Sequence, residues 1–172
     1  KWLMKTFIWI IRGTPLMLQI IVVYYAVPYI QMANPDMLSF IDVKNENYMF
    51  NAVLVAFVLN YAAYFAEIFR GGIESIPKGQ YEAAAALGMT KVQTFFRIIL
   101  PQGIKRIVPA SSNEVITLVK DTSLARIIGI YEIIWAGESF IKKGLLWPLF
   151  YTGAFYLIFN GLLTLLFGRI EK

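Results

Sequence analysis

The chain has 172 residues, 58% of them hydrophobic and 16% aromatic, with a mean hydropathy of +0.60, a net charge of +5 and a pI near 9.4. That apolar share exceeds the share in an ordinary soluble domain and marks a membrane protein. Cysteine and histidine are both missing, which excludes disulfides, thiol nucleophiles, histidine-dependent triads and most transition-metal sites. No G-x-x-x-x-G-K-[ST] phosphate loop occurs, so ATP binding of the usual kind is excluded as well. No catalytic residue and no metal ligand is therefore assigned.

In chain order, residues 7–30 form a first apolar run with only Arg12, Thr14 and Gln19 as clearly polar members. Residues 48–69 form a second, holding Asn51, Asn60 and Glu67. Each is close to the roughly 20 residues that span a bilayer. Between them, Asp36, Asp42 and Glu46 face a single Lys44, the charge balance of an external loop. The segment 70–106 carries Arg70, Lys78, Lys91, Arg97, Lys105 and Arg106 against Glu74 and Glu82, a cationic excess that reads as a cytoplasmic loop. Lys1, Lys5 and Arg12 fall on the same side, and so do Arg169 and Lys172. The net positive charge is thus what the positive-inside rule leaves behind and needs no nucleic-acid partner.

Within this loop the local chemistry predicts a two-helix elbow. Ser75 caps a helix with Pro77 in its first turn, residues 82–87 supply helix formers, and Gly88 ends it. Thr90 and Gln93 have capping-box spacing and start a second helix, with Val92, Phe95, Phe96 and Ile99 on one apolar side. The expected product is a compact knob of two short helices whose surface at residues 83–86 is made of small side chains.

A third run, residues 107–134, is interrupted by Ser111, Ser112, Asn113, Glu114, Lys120, Asp121, Thr122, Ser123 and Arg126. A spanning segment this polar faces protein or water, not lipid. On a continuous helix Glu114 and Asp121 point within about 20° of each other, with Thr117 beside them. Asp121, Thr122 and Ser123 are also placed to cap a new helical segment from Leu124, which would leave a kink and a polar notch. Residues 145–167 form the last apolar run. The reading is one all-α, multi-pass transmembrane domain over residues 1–172, with an embedded cytoplasmic loop.

Residues 82–101 read EAAAALGMTKVQTFFRIILP. The stretch resembles the EAA loop of permease subunits in ATP-binding-cassette importers: Glu-Ala-Ala, three residues, Gly, nine residues, Ile, one residue, Leu-Pro. Glu82, Ala83, Ala84, Gly88, Ile98, Leu100 and Pro101 occupy every set position. Three further stretches, RGTPLMLQ at 12–19, AEIFRGGIESIPKGQYEAA at 66–84 and NEVITLVKDTSLARIIG at 113–129, resemble the polar amino acid uptake branch of that family. In that branch another helix precedes the first run, so the resemblance implies that a first helix is missing here.

The resemblance implies an importer permease in the bacterial cytoplasmic membrane. The partners it implies are ABC ATPase subunits that carry ATP and Mg, a second permease subunit, an extracytoplasmic solute-binding protein and a polar or charged amino acid as substrate. No cofactor sits on this chain. Tyr81, Glu82, Ala83, Ala84 and Gly88 are the expected coupling residues. Breaks near the midplane are where transporters hold solutes, which makes Glu114, Asp121, Thr122, Ser123, Asn60 and Gln19 the candidate substrate-binding residues. Structural pairing is the competing role for each of these: Glu114 and Asp121 with Lys120, Arg126 or a neighbouring subunit, Asn60 and Gln19 with a neighbouring helix. The alternative to an importer is an ion-coupled carrier or channel-like protein working through Glu114 and Asp121, and an inert scaffold subunit is a further alternative.

Overall fold

The computed structural model describes residues 2–171, which are mostly helical, with turns over 34–47 and no strand among them. They fall into two compact units, one made of the chain up to Ala63 with Val119–Leu157, the other of Tyr64–Leu118 with the segment from Ile158 onward.

The first unit contains helices α1 (Trp2–Gly13) and α2 (Leu16–Ala33) and the first part of α3 (Tyr48–Glu74). A 3-10 helix (Thr122–Ile128), α7 (Ile133–Ser139) and the start of α8 (Trp147–Ile170) complete it. Its core is Ile20, Ala56 and Ile128, with Val23, Tyr24, Val53, Phe57 and Leu124 packed around them. Residues α2, α3 and α8 are each long and apolar enough to cross a membrane.

The run at 7–30 is not one helix. It bends at Thr14, and Pro15 stands at the N-cap of α2 with φ −62° and ψ 136°. Proline has no N–H to return to the carbonyl four residues back and drives the preceding residue out of helical geometry. The carbonyl orphaned by Pro15 is that of Ile11, and the Gln19 side chain donates to it at 2.7 Å. The same amide nitrogen lies 3.1 Å from the Thr14 carbonyl and 2.9 Å from its hydroxyl. A second proline, Pro28, sits inside α2 and orphans the Tyr24 carbonyl, to which the Tyr48 hydroxyl donates at 2.6 Å. Both repairs lean on α3, which carries Tyr48 and also Asn60, whose amide donates to Gln19 Oε1 at 3.0 Å. Tyr24 lies in a membrane-crossing candidate, and the bilayer core offers its carbonyl no water, so a side chain from elsewhere in the fold must satisfy it.

The second unit holds the end of α3, a short helix α4 (Lys78–Ala86), α5 (Lys91–Thr94), a π-helical turn (Phe95–Ile99), most of α6 (Leu100–Asp121) and the end of α8. Here helix extends on both sides of the expected elbow: α3 continues to Glu74, and after α4 the chain is helical from Lys91 on into α6. The cause is packing. Gly72 has no side chain, and a Cβ there would collide with Ile107, so α3 and α6 approach closely at this point. Ile76 and Gly103 are buried in the same region, and the Arg106 guanidinium donates to the Ser75 carbonyl.

Candidate functional site

The motif at residues 82–101 begins in a short helix set between two long ones, and its second half differs from the expected knob. Helix α4 begins after Pro77, which is itself the N-cap, while the Ser75 hydroxyl turns back to the Gly72 carbonyl at 2.8 Å and caps nothing. Helix α4 ends in a full Schellman motif. Gly88 N–H donates to the Ala85 carbonyl at 2.9 Å and Met89 N–H to the Ala84 carbonyl at 3.1 Å, with Gly88 at φ +71°. Thr90 and Gln93 form the reciprocal capping box. The helix they start is not short: it runs through α5 and the π-turn straight into α6.

Burial divides the candidate residues. Tyr81, Glu82, Ala83 and Gly88 are exposed, whereas Ala84 is completely buried against the α5 and π-turn side of the element. Ala84 therefore holds the element together and is not part of its outer surface, a correction to the small-residue face expected at 83–86. The apolar side expected of Val92, Phe95, Phe96 and Ile99 also splits. Ile99 is fully buried, but Val92 and Phe96 are 67% and 61% exposed and join Leu87 at 79% and Tyr81 at 41%. Leu87, Val92 and Phe96 were not singled out as an outward group, because hydropathy alone assigns such side chains to an interior. Gln80 and Gln102 tie α4 to α6 with a hydrogen bond of 3.0 Å. The element is thus a braced platform with a basic surround and an exposed apolar top.

The polar run at 107–134 is one α-helix only as far as Asp121. The backbone then passes without a gap into the 3-10 helix, which ends at Gly129 with φ +94°, and helix resumes only at Ile133. Asp121, Thr122 and Ser123 do not cap a new segment. Asp121 makes no cap hydrogen bond, and the Thr122 and Ser123 hydroxyls donate backward to the Val119 and Lys120 carbonyls at 2.7 and 2.8 Å. No fresh helix N-terminus opens there for an anion. Asp121 Oδ2 accepts from the Tyr61 hydroxyl at 2.8 Å, a partner that hydropathy hides because tyrosine reads as apolar. Glu114 is half-buried on α6.

Arg126, a conceivable partner for either acid, is instead paired through both terminal nitrogens with Glu138 at 2.8 and 2.6 Å. This hydrogen-bonded guanidinium holds the Glu138 carboxyl below its ordinary range. Gln19 and Asn60 are bonded to each other and, through Gln19, to the α1–α2 bend. Among the described residues no group of three or more acidic side chains is placed to hold a metal.

Comparison with known proteins places this arrangement. The family model described as binding-protein-dependent transport system inner membrane component matches residues 1–172. The octopine transport system permease protein OccM of Rhizobium radiobacter is 42% identical over 97% of this chain and 67% of its own length. The arginine ABC transporter permease protein ArtM of Escherichia coli is 37% identical over 99% of this chain and 76% of its own. The glutamine transport system permease protein GlnP of the same species is 35% identical over 96% and 72%. A crystal structure of an amino acid ABC transporter with histidines superposes with a TM-score of 0.75 at 30% identity, over 97% of this chain and 73% of that one. These relatives are permease chains, which disfavours the ion-coupled carrier. A permease motif, an all-helical membrane fold and a match from end to end agree, and the chain belongs to the family of binding-protein-dependent transport system inner membrane components.

Proposed function

We propose that the chain is the permease subunit of an ATP-driven importer for a polar or charged amino acid in the bacterial cytoplasmic membrane. It works with a second permease subunit, ATPase subunits that bind ATP and Mg, and an external solute-binding protein. The relatives' names, which speak of octopine, arginine and glutamine transport, support this substrate class. The observation that carries the reading is the braced platform: Tyr81, Glu82 and Ala83 are exposed on α4, and Leu87, Val92 and Phe96 stand out beside them.

Exposed apolar side chains on the one strongly basic segment suit a protein partner on the cytoplasmic side. The ATPase docks there, and its closure pushes on Tyr81, Glu82, Ala83 and Gly88. Gln80, Gln102 and the buried Ala84 pass that push to α6 as a rigid body. On the transport side, Asp121, Thr122 and Ser123 lie where α-helix gives way to 3-10 helix and are proposed to border the solute path. Glu114 keeps its place in that proposal through helical spacing alone. Gln19 and Asn60 frame the path by holding α2, not by contacting the solute.

The test is Gly88→Leu and Glu82→Lys in the full-length permease, assembled with its ATPase and binding protein in liposomes. At φ +71° a leucine costs about 1–2 kcal/mol, and Lys at 82 reverses charge on the outer surface. Both variants are expected to insert and to lose solute-stimulated ATP hydrolysis and uptake. Normal uptake by both would remove the coupling role.

A further inference from the structure

We infer that Pro101, through the π-turn it enforces, sets the rotational phase between the exposed face of the coupling element and α6, and so acts as a positioning residue for coupling. This rests on the docking role proposed above. The observation is a mismatch of spacing. Thr94, Ile99 and Gly103 are all buried, yet they are separated by five and then four positions. In an unbroken α-helix Thr94 and Ile99 would point about 140° apart and could not share a face.

Residues 95–99 bridge the gap as a π-turn, in which Leu100 N–H reaches the Phe95 carbonyl five residues back. Such a turn absorbs one additional residue and delays everything beyond it by about 100°. With one residue absorbed, the buried stripe becomes four and four. Val92 and Phe96 are thereby left outside while Ile99 and Gly103 stay in.

Proline explains why the turn lies here. Pro101 has no N–H for the Arg97 carbonyl, and its ring would strike that carbonyl in a regular α-helix. The α alternative is thus penalised at this position, and the wider turn, which moves the Arg97 carbonyl aside, costs less by comparison. Replacing the proline supplies the missing N–H, lets the segment close into α-helix, and turns residues 91–94 relative to α6.

These 172 residues contain no cysteine, so once any cysteine elsewhere in the permease is replaced, single cysteines at positions 91–97 report the phase cleanly. In the full-length permease, Val92→Cys and Phe96→Cys are expected to react fast with a water-soluble maleimide and Thr94→Cys slowly. With Pro101→Ala added, the pattern of fast and slow positions should move by one residue. Solute-stimulated ATP hydrolysis by the assembled transporter should then fall about tenfold.

A second variant guards against simple misfolding. Pro101→Ala combined with deletion of Arg97 removes the additional residue together with the proline, restores four-and-four spacing in plain α-helix, and should recover the parent labelling pattern and stimulation. An unchanged labelling pattern for Pro101→Ala overturns the inference. A shifted pattern with undiminished stimulation, or no recovery in the deletion variant, overturns it too. Failure of the docking role itself would appear elsewhere, as Gly88→Leu and Glu82→Lys with intact stimulation while Pro101 is in place.

Discussion

Helix α2 and the segment entering α6 both contain prolines where a helix would run on, and the two solve the problem differently. At Pro15 and Pro28 the backbone breaks or kinks, and a side chain donates to the orphaned carbonyl: Gln19, one turn further on and itself held by Asn60 of α3, to Ile11, and Tyr48 of α3 to Tyr24. At Pro101 the backbone itself adjusts, by widening one turn. The surroundings account for the difference. Helix α2 is a membrane-crossing candidate, where an unpaired carbonyl has no water to turn to. Arg97 is exposed and belongs to the basic segment read as cytoplasmic, where water is at hand for backbone groups left open. Proline in the apolar region calls for a tertiary partner, while proline at the wet end needs only a local change of helix type.

The comparison is broken most directly at Gln19. Gln19→Leu removes the donor to Ile11 and Thr14 and strands the Asn60 amide, and a loss of roughly 2–3 kcal/mol is expected. Thermal unfolding of the detergent-solubilised permease would show it as a lowered midpoint. An unchanged midpoint would mean that the bend at Thr14 does not depend on this amide.

A smaller effect, about 1 kcal/mol, is expected for Tyr48→Phe, since polar contacts in membranes often contribute less than in water. This case can be sharpened by a cycle. In a Pro28→Ala background, residue 28 supplies its own N–H to the Tyr24 carbonyl, and Tyr48→Phe should then cost almost nothing. Equal costs in both backgrounds would show that the hydroxyl does not act through the proline.

Pro101→Ala should run the other way. It exposes no buried carbonyl and adds a possible backbone bond, so stability should stay within about 0.5 kcal/mol of the parent or rise slightly while coupling suffers. A large loss of stability would make Pro101 structural in the same sense as the α2 prolines, and the contrast would disappear.

The smallest effect concerns pH. Glu138 is held below the ordinary carboxylate range, first by its hydrogen bond from Arg126. Its contribution is fully present above the ordinary value of 4.5 and declines as pH falls through the lowered value. Both partners are well exposed, so screening keeps it small. Glu138→Gln should therefore slightly flatten the acid limb of the stability profile and leave neutral pH almost untouched. An unaltered acid limb would show the pair to be thermodynamically silent.

How far each element could be read from the residues alone follows the same division. The Schellman end at Gly88 and the capping box at Thr90 and Gln93 were legible because each depends on residues within one turn of chain. The cap expected from Ser75, and those expected at Asp121, Thr122 and Ser123, were misread. The right residue types were present, but Ser75, Thr122 and Ser123 each had a backbone carbonyl three residues back to donate to, and Asp121 had Tyr61. Within 70–106 the elbow's two helices are legible, but the run of α3 on to Glu74 and the continuation of the second helix into α6 are not, because they depend on the close approach of Gly72 and Ile107. Gln19 and Asn60 could have served a solute or a neighbour, and nothing in hydropathy distinguishes the two.

By itself the amino-acid sequence determined the membrane setting, the helical class, the turn at Gly88 and the family, because composition, local capping and motif spacing act over short stretches of chain. Only the tertiary structure decided that Ala84 faces inward while Leu87, Val92 and Phe96 face out, and that the Ile11 and Tyr24 carbonyls are met by Gln19 and Tyr48. It also placed a π-turn at Phe95–Ile99, ahead of α6. These depend on which surfaces meet across long separations in sequence, where the direction of a side chain is set by its neighbours' packing and by whether water can reach the backbone.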